Sequence, residues 1–554
     1  MRKPVKGSVL TLVVMAVVLL VGSTFAVVSN NVGAQEEKIL RVQTPTDPDI
    51  FDPQKSSFAN EIAILVLNYE GLTRQDTDLA TVPAAAESWE YSEDLTSLTF
   101  TLREGLMYSD GEPLTSERFR YAVERTCDPN TAGQYQSILF EIAGCADFAG
   151  TDPADTGAYD AAKAALGVTA PDEQTLELSF TQPAPYFHTV ASLWVFHPAR
   201  QELIEEGGDD WWQDPSLQIG NGPFQITGYD EGLQVTFAAN ENYWGGRPLL
   251  DGIEYIYQGE SAIAIEAFRA GDLDIVDVDP AQIPVVSADP ELADQMQQYA
   301  VASSYNLNFN LTQEPFTDIK VREAFSQAFD RETYCLVIRN GDCVPTLSWI
   351  PLGLPGSIET DQYSFDAEAA VAALAESSYG GPEDLPEITL YYNSDDTANT
   401  GRAEWVAGEY RDILGVEITL APTEGTALVE LRKEATTFPQ MLLVGGWIQD
   451  YPDPQNWLSV YWTCDATFAL RFGYCNEAFD ALVNEADVLS DQEARLDLYE
   501  QASQVLVDDI PGPFLYNGTQ VVLVNPAVTG YTATALDVEW PGQFTSLLTV
   551  DKES

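Results

Sequence analysis

The stretch Gly445–Trp457, GGWIQDYPDPQNW, gathers two carboxylates (Asp450 and Asp453), two prolines, a tyrosine and two tryptophans within thirteen residues. Three chemistries suit it. Two carboxylates among aromatic platforms can hydrolyse a glycoside. One carboxylate shielded from water can grip a cation through a charge-assisted hydrogen bond. An aspartate beside a proline can also simply cap a turn, and Asp453 and Asp52 read this way. Other reactive constellations are scarce. The only histidines, His188 and His197, flank TVASLWVF, too few and too local for a Ser–His–Asp hydrolase. No GxSxG, HExxH, Walker A or GxGxxG motif stands in a usable context. DLDIVDVD (272–279) resembles a calcium loop but lacks the central glycine and the distal glutamate, and its alternation suits a strand with a solvated face. The expectation is no metal and no cofactor.

The chain that must position these residues has 554 of them, enough for about three units of ~150 residues. It is 45% hydrophobic and 11% aromatic, which places it among globular proteins. With 26 basic and 87 acidic residues it carries a net charge of −61. Nucleic-acid binding needs a basic footprint and is excluded on this balance, and anionic lipid is disfavoured. Such charge favours a soluble monomer and attracts cations, although adaptation of the whole surface explains it equally well. MRKPVKG, SVLTLVVMAVVLLVG and NVGAQEE form the basic, apolar and small-residue regions of a secretory signal spanning 1–34. Val9–Val28 is also about long enough to cross a bilayer, so an uncleaved N-terminal anchor is the alternative. The first cysteine is Cys127, which excludes lipid attachment at the cleavage site. Six cysteines allow fifteen connectivities; the simplest for an exported chain is Cys127 with Cys145, Cys335 with Cys343, and Cys464 with Cys475.

No repeat or low-complexity linker divides the chain, so its units must interleave. KILRVQ reads as a strand, NEIAILVLNYEGL as a helix, and SLTFTLREGLMYSDGEPLT as strands with a hairpin at 109–111. Thr115 is placed to cap SERFRYAVERT. TLELSF is a strand, and NGPFQITGYDEGLQVTFAANENYW is two. SAIAIEAFRAGDLDIVDVDP is a helix closed by Gly271, then a strand. Asp366 is placed to cap DAEAAVAALAES, and EITLYYN, RAEWVAGEYRDILG and VEITLAP follow as strand, helix, strand, so 300–515 is α/β. In PFTDIKVREAFSQAFDRE, Val321, Ala324, Phe325, Ala328 and Phe329 share one helical face, with Asp318 or Thr317 as cap and Asp318 one turn from Arg322.

Taken in order, DPDIFDPQ, NYEGLTRQD, PAAAESWEYSEDLTSLTFTLREGLMYSDGEPLTSERFRYAVERT, CDPNTAGQY, QPAPYF, GNGPFQITGYD, NENYWGG, AFRAGDLDIVD, EPFTDIKVREAFSQAFDRE and GGWIQDYPDPQNWLS resemble the extracytoplasmic solute-binding proteins of peptide ABC transporters, family 5. The resemblance covers nearly all of the chain after the signal. It implies a two-lobed periplasmic-binding-protein fold of α/β class, with mixed sheets, an inserted subdomain and a hinge of two crossing segments. Lobe I then comprises 35–69, 186–303 and 518–554, the inserted subdomain 70–185, and lobe II 304–517. The implied function is non-catalytic: capture of a peptide or small amine-bearing solute outside the cytoplasm and delivery to a membrane permease. A nickel complex, opine or sugar is the alternative ligand, and a secreted glycoside hydrolase the alternative activity. In oligopeptide binders the aspartate of the W-x-x-D-Y segment, here Asp450, meets the ligand's α-ammonium group. Trp447 would wall a side chain, Gly446 would admit the peptide backbone, Tyr135 and Tyr516 would line the cleft, and Asn308 would add a polar contact. Trp447 can equally be ordinary core, and Asp450 a turn cap before Pro452. One departure stands out: Val444 occupies the position where some members carry an arginine for the peptide carboxylate.

Overall fold

The apolar stripe of PFTDIKVREAFSQAFDRE specifies a helix that runs Ile319–Gln327, with Val321, Ala324 and Phe325 fully buried beneath it. The Asp318 side chain caps it by accepting from the Lys320 amide at 2.8 Å. The expected Asp318–Arg322 pair does not form. Arg322 is largely buried and its guanidinium donates to the carbonyls of Phe316, Asp509 and Ile510, where it satisfies the end of a neighbouring helix. Asp366 caps Ala367–Glu376 through two backbone amides, and Gly271 closes Ser261–Ala270 at φ +80°. Thr115 stands at the N-cap of Ser116–Cys127, but its side chain makes no capping bond.

The computed structural model describes residues 37–542 and 547–553. The expected export segment, 1–34, lies outside them. Among the described residues no helix is long and apolar enough to cross a membrane.

One mixed 11-stranded sheet organises the chain. Its order begins Ile418–Thr423, Ile388–Asn393, Met441–Ile448, Met296–Phe309, Phe514–Val524 and continues Ile275–Asp277, Ile39–Thr44, Gly252–Tyr257, Gln234–Ala239, Phe224–Asp230. Cys343–Pro345 pairs alongside Phe514–Val524. The two longest central strands run antiparallel and carry both halves of the sheet. Residues 296–300 pair with 523–519 and residues 304–306 with 517–514, and the register shifts between Ala300 and Ser304. A separate sheet of Ala86–Tyr91, Ser97–Leu102, Thr175–Ser179 and Val168–Thr169 packs under Ser116–Cys127. Cys127–Cys145, Cys335–Cys343 and Cys464–Cys475 are bonded, at S–S distances of 1.97, 2.00 and 2.03 Å.

Three aspartates depart from their sequence reading because arginine or lysine reaches them across the fold. Asp52 is no mere turn residue: Arg125 holds both its oxygens at 2.5 and 2.6 Å, and the Trp211 indole adds a third bond at 2.9 Å. Asp453 caps a short helix and is held by Arg495 at 2.7 Å on each oxygen. In DLDIVDVD only the outer aspartates, Asp272 and Asp279, are exposed. Asp274 is buried, accepts from the Arg41 amide at 2.8 Å and pairs with Lys552 at 2.7 Å.

The glycine pair at 445–446 is dictated by the neighbouring strand. Gly445 opposes Asn306, and a β-carbon on it would lie 1.3 Å from Asn308 Oδ1. Gly445→Ala is expected to cost about 1–3 kcal/mol through overpacking, and Asn308→Ala in the same chain to recover much of that. Urea unfolding of the two single variants and the double variant checks it; additive losses would show that the two sites do not touch.

Candidate functional site

Strand Met441–Ile448 delivers Trp447 to its end, and the chain then turns through Asp450 into the short helix Pro454–Trp457. The Asp453 carboxylate fixes that helix from its N-terminus, donated to by the Gln455 amide at 2.9 Å, while Arg495 fixes Asp453. The helix returns Asn456 to face the strand end. Its Oδ1 accepts from the Trp447 indole and from the Asp450 amide, each at 3.0 Å, and its Nδ2 donates to Asp450 Oδ2 at 2.9 Å. The other oxygen of Asp450 accepts from the Tyr135 hydroxyl at 3.1 Å, across 315 residues of sequence. Tyr135 itself stands edge-on to Trp194, with ring centroids 4.8 Å apart.

These residues enclose a cavity of about 280 Å³ between 134–186 and 447–468. Tyr135, Tyr186, Trp447, Tyr451 and Phe468 supply its rings, and Asp450 and Glu141 its acids. No Lys, Arg or His lines it. Trp447 is held edge-on to Tyr461 and Phe468, at 5.5 and 5.2 Å. A neighbouring cavity of about 200 Å³ shares Tyr135 and Asp450 and reaches Trp194, Gln449, Val538 and Glu539. Val538 also borders a recess of about 600 Å³ lined by Asp277, Tyr305 and Arg339.

Burial is the largest influence on Asp450 and raises its pKa to about 6, against the lowering effect of the bonds from Asn456 and Tyr135. Desolvation likewise raises Tyr135 and Glu141. Asp277 and Glu539 are each pushed up to about 7 by burial, and for Asp277 the neighbouring Glu539 adds to the effect. His197, buried against Tyr69, is pushed down to about 3 and stays neutral. Of the two carboxylates in the segment, Asp453 has both oxygens bonded to Arg495 and does not line this cavity, whereas Asp450 does.

Of the six residues singled out in the sequence, Asp450, Trp447 and Tyr135 come together in this cavity. The others lie elsewhere. Gly446 pairs with Tyr305, and a β-carbon there would lie 2.6 Å from that ring, so the close approach it permits is to Tyr305. Tyr516 is buried, stacked on Tyr305 at 4.8 Å, and its hydroxyl accepts from Arg339 at 3.0 Å. Asn308 is buried beneath Gly445. Asn456, Arg495 and Glu141 were missed. Asn456 had a signal, since it falls in the same short segment as Asp450; Arg495 and Glu141 arrive from distant sequence with none.

The model of the bacterial extracellular solute-binding proteins, family 5 (middle region), matches residues 80–469. The chain belongs to this family. The dipeptide-binding protein DppE of Bacillus subtilis is 27% identical over 91% of the chain and 92% of its own length. The probable deoxycholate-binding periplasmic protein YgiS of Escherichia coli is 29% identical over 89% and 91%. The solved structure of Burkholderia pseudomallei OppA aligns at a TM-score of 0.75 with 25% identity, covering 94% of this chain and all of that one (100%). The fold is thus the two-lobed one expected from the sequence, and the family is one of solute binders that work outside the cytoplasm.

Because Asp450 binds its proton more tightly in the folded protein, the stability tied to that proton falls as pH rises from the unfolded value near 4 through about 6. Asp450→Asn, measured without peptide, is therefore expected to be more stable than the parent at pH 7 by about 1–2 kcal/mol, discounted for cavity water, with the gap closed by pH 4. Urea titrations at the two pH values check both the sign and the closure.

Proposed function

We propose that this protein captures peptides between its two lobes and delivers them to the permease of an ABC transporter, with Asp450 receiving the peptide's α-ammonium group. The observation that carries this reading is a desolvated carboxylate in a cavity that no basic residue lines. Such a group is poorly solvated when ionised, and an arriving ammonium both pairs with it and replaces the missing water. Trp447 forms an apolar wall beside it, and Tyr135 reaches it from the inserted subdomain. Gly446, Tyr516 and Asn308 act at one remove, by shaping the strands under the site.

The lobe limits we propose are 35–69, 186–303 and 518–554 for lobe I, 70–185 for the inserted subdomain, and 304–517 for lobe II. The register shift between Ala300 and Ser304 supports a hinge where the two central strands cross from one lobe to the other. Ligand and closed form stabilise each other, because the Tyr135–Asp450 contact joins the two sides of the cleft. No chemical step is assigned, and the ligand leaves uncut. Residues 1–34 act as an export signal, and the protein works outside the cytoplasm as a monomer.

The name DppE supports a peptide ligand. A deoxycholate-like ligand fits less well, because its carboxylate would meet Asp450 and Glu141 with no cation between them. Isothermal titration with tri- to pentapeptides tests the proposal. A free-amine peptide is expected to bind about 30- to 100-fold tighter than its N-acetylated form, the scale of one charge-assisted bond. Asp450→Asn is expected to abolish that difference. Unchanged affinity in the variant overturns the ammonium anchor.

A further inference from the structure

The cavity that holds Asp450 has a second acid whose role the ammonium anchor does not use. Glu141 follows the short helical turn Gln136–Leu139 and lines the same 280 Å³ cavity. Its Oε1 accepts from the Tyr186 hydroxyl at 2.9 Å. It forms no salt bridge among the described residues, and burial raises its pKa. Ile138, Trp447, Val460 and Phe468 line the space around it with apolar surface. A carboxyl group at an apolar-walled cavity matches a long aliphatic stem that ends in a positive charge.

The layout also says where along a ligand that charge belongs. Asp450 and Tyr135 are shared by the 280 Å³ cavity and the 200 Å³ cavity beside it. An α-ammonium at Asp450 therefore has one cavity for the side chain of its own residue and another for the backbone that follows.

We infer that Glu141 forms a cation subsite beside Asp450, and that the ligands of this protein are peptides whose first residue is lysine or arginine. The α-ammonium pairs with Asp450, the stem lies along Trp447 and Phe468, and the side-chain cation meets Glu141, where the Tyr186 hydroxyl already orients one oxygen. A neutral first residue of the same length would fill the cavity yet leave Glu141 desolvated and unpaired. The inference rests on the reading of Asp450 given above.

The test is isothermal titration of the purified protein with Lys-Ala-Ala and with the same peptide carrying norleucine, an uncharged side chain of similar length, in first place. The lysine peptide is expected to bind at least about tenfold tighter, the factor equivalent to ~1.4 kcal/mol. Glu141→Gln is expected to erase that preference while keeping the norleucine peptide bound, and Asp450→Asn to weaken both peptides. Equal or tighter binding of norleucine by the parent protein overturns the inference, and that comparison needs no variant to fold. A lysine preference that survives Glu141→Gln overturns the assignment to Glu141. If Asp450→Asn leaves both affinities untouched, the anchor reading fails and the inference falls with it; if it weakens both while the parent shows no lysine preference, only the inference fails.

Discussion

Strands Met296–Phe309 and Phe514–Val524 pair along almost their whole lengths, and every other element of the main sheet reaches its place through one of them. Their ladder is interrupted between Ala300 and Ser304. An unbroken antiparallel pair resists bending across its plane, because each residue's amide or carbonyl is tied to the partner strand. An interruption of a few residues at mid-length leaves two firm half-sheets with a compliant zone between them. Beyond that zone, Ser303–Asn306 pair with Gly445–Ile448, so the segment leading to Asp450 is carried by the same strand that crosses the interruption. Under the lobe limits proposed above, bending at this interruption would shift Asp450 relative to Tyr135.

The site is held by a relay of polar contacts rather than by the loop's own preferences. Arg495 grips Asp453, Asp453 caps a one-turn helix, and that helix aims Asn456 at both Asp450 and the Trp447 indole. A four-residue helix has little stability alone, because nucleation costs more than a single turn returns. A bidentate ion pair at its cap offsets that cost only because both partners are buried and fully bonded. Arg495 therefore acts as a positioning residue for a carboxylate it never touches.

Much of this was legible in the sequence where the signal is local and periodic. The stripe from Val321 to Phe329 gave its helix, the caps at Asp318 and Asp366 hold, and the turn at Gly271 needs a positive φ that glycine supplies. The meeting of Asp450, Trp447 and Tyr135 was expected from family resemblance, since nothing in 315 residues of separation specifies it locally. What could not be read was the direction taken by long side chains. Arg322 lies one turn from Asp318, but a row of unpaired helix-end carbonyls at 509–510 competes for it and wins. Asp52 and Asp453 have the local chemistry of turn residues, and only tertiary structure brings Arg125 and Arg495 to them. Tyr516 sits two residues from the strand crossing, where ring stacking on Tyr305 and the Arg339 bond draw it into the core.

The charge balance gains a meaning once the arginines are followed to their partners. A chain with 26 basic residues against 87 acidic ones has few cations to distribute. Several go inward: Arg125 to Asp52, Arg495 to Asp453, Arg331 to the carbonyls of Phe514 and Phe329, and Arg339 to Asp342 and Tyr516. Each satisfies polar groups that would otherwise be buried unpaired, and losing one leaves its partner desolvated. The 280 Å³ cavity receives none, although two acids line it. Other buried carboxylates also lack a guanidinium, Asp277 and Glu539 among them, and are met by the neutral donors Gln520 and Thr44. What sets Asp450 and Glu141 apart is that they line one cavity without a basic residue, whereas the recess that holds Asp277 also holds Arg339, and that local balance, more than the overall net charge, argues for a cationic ligand.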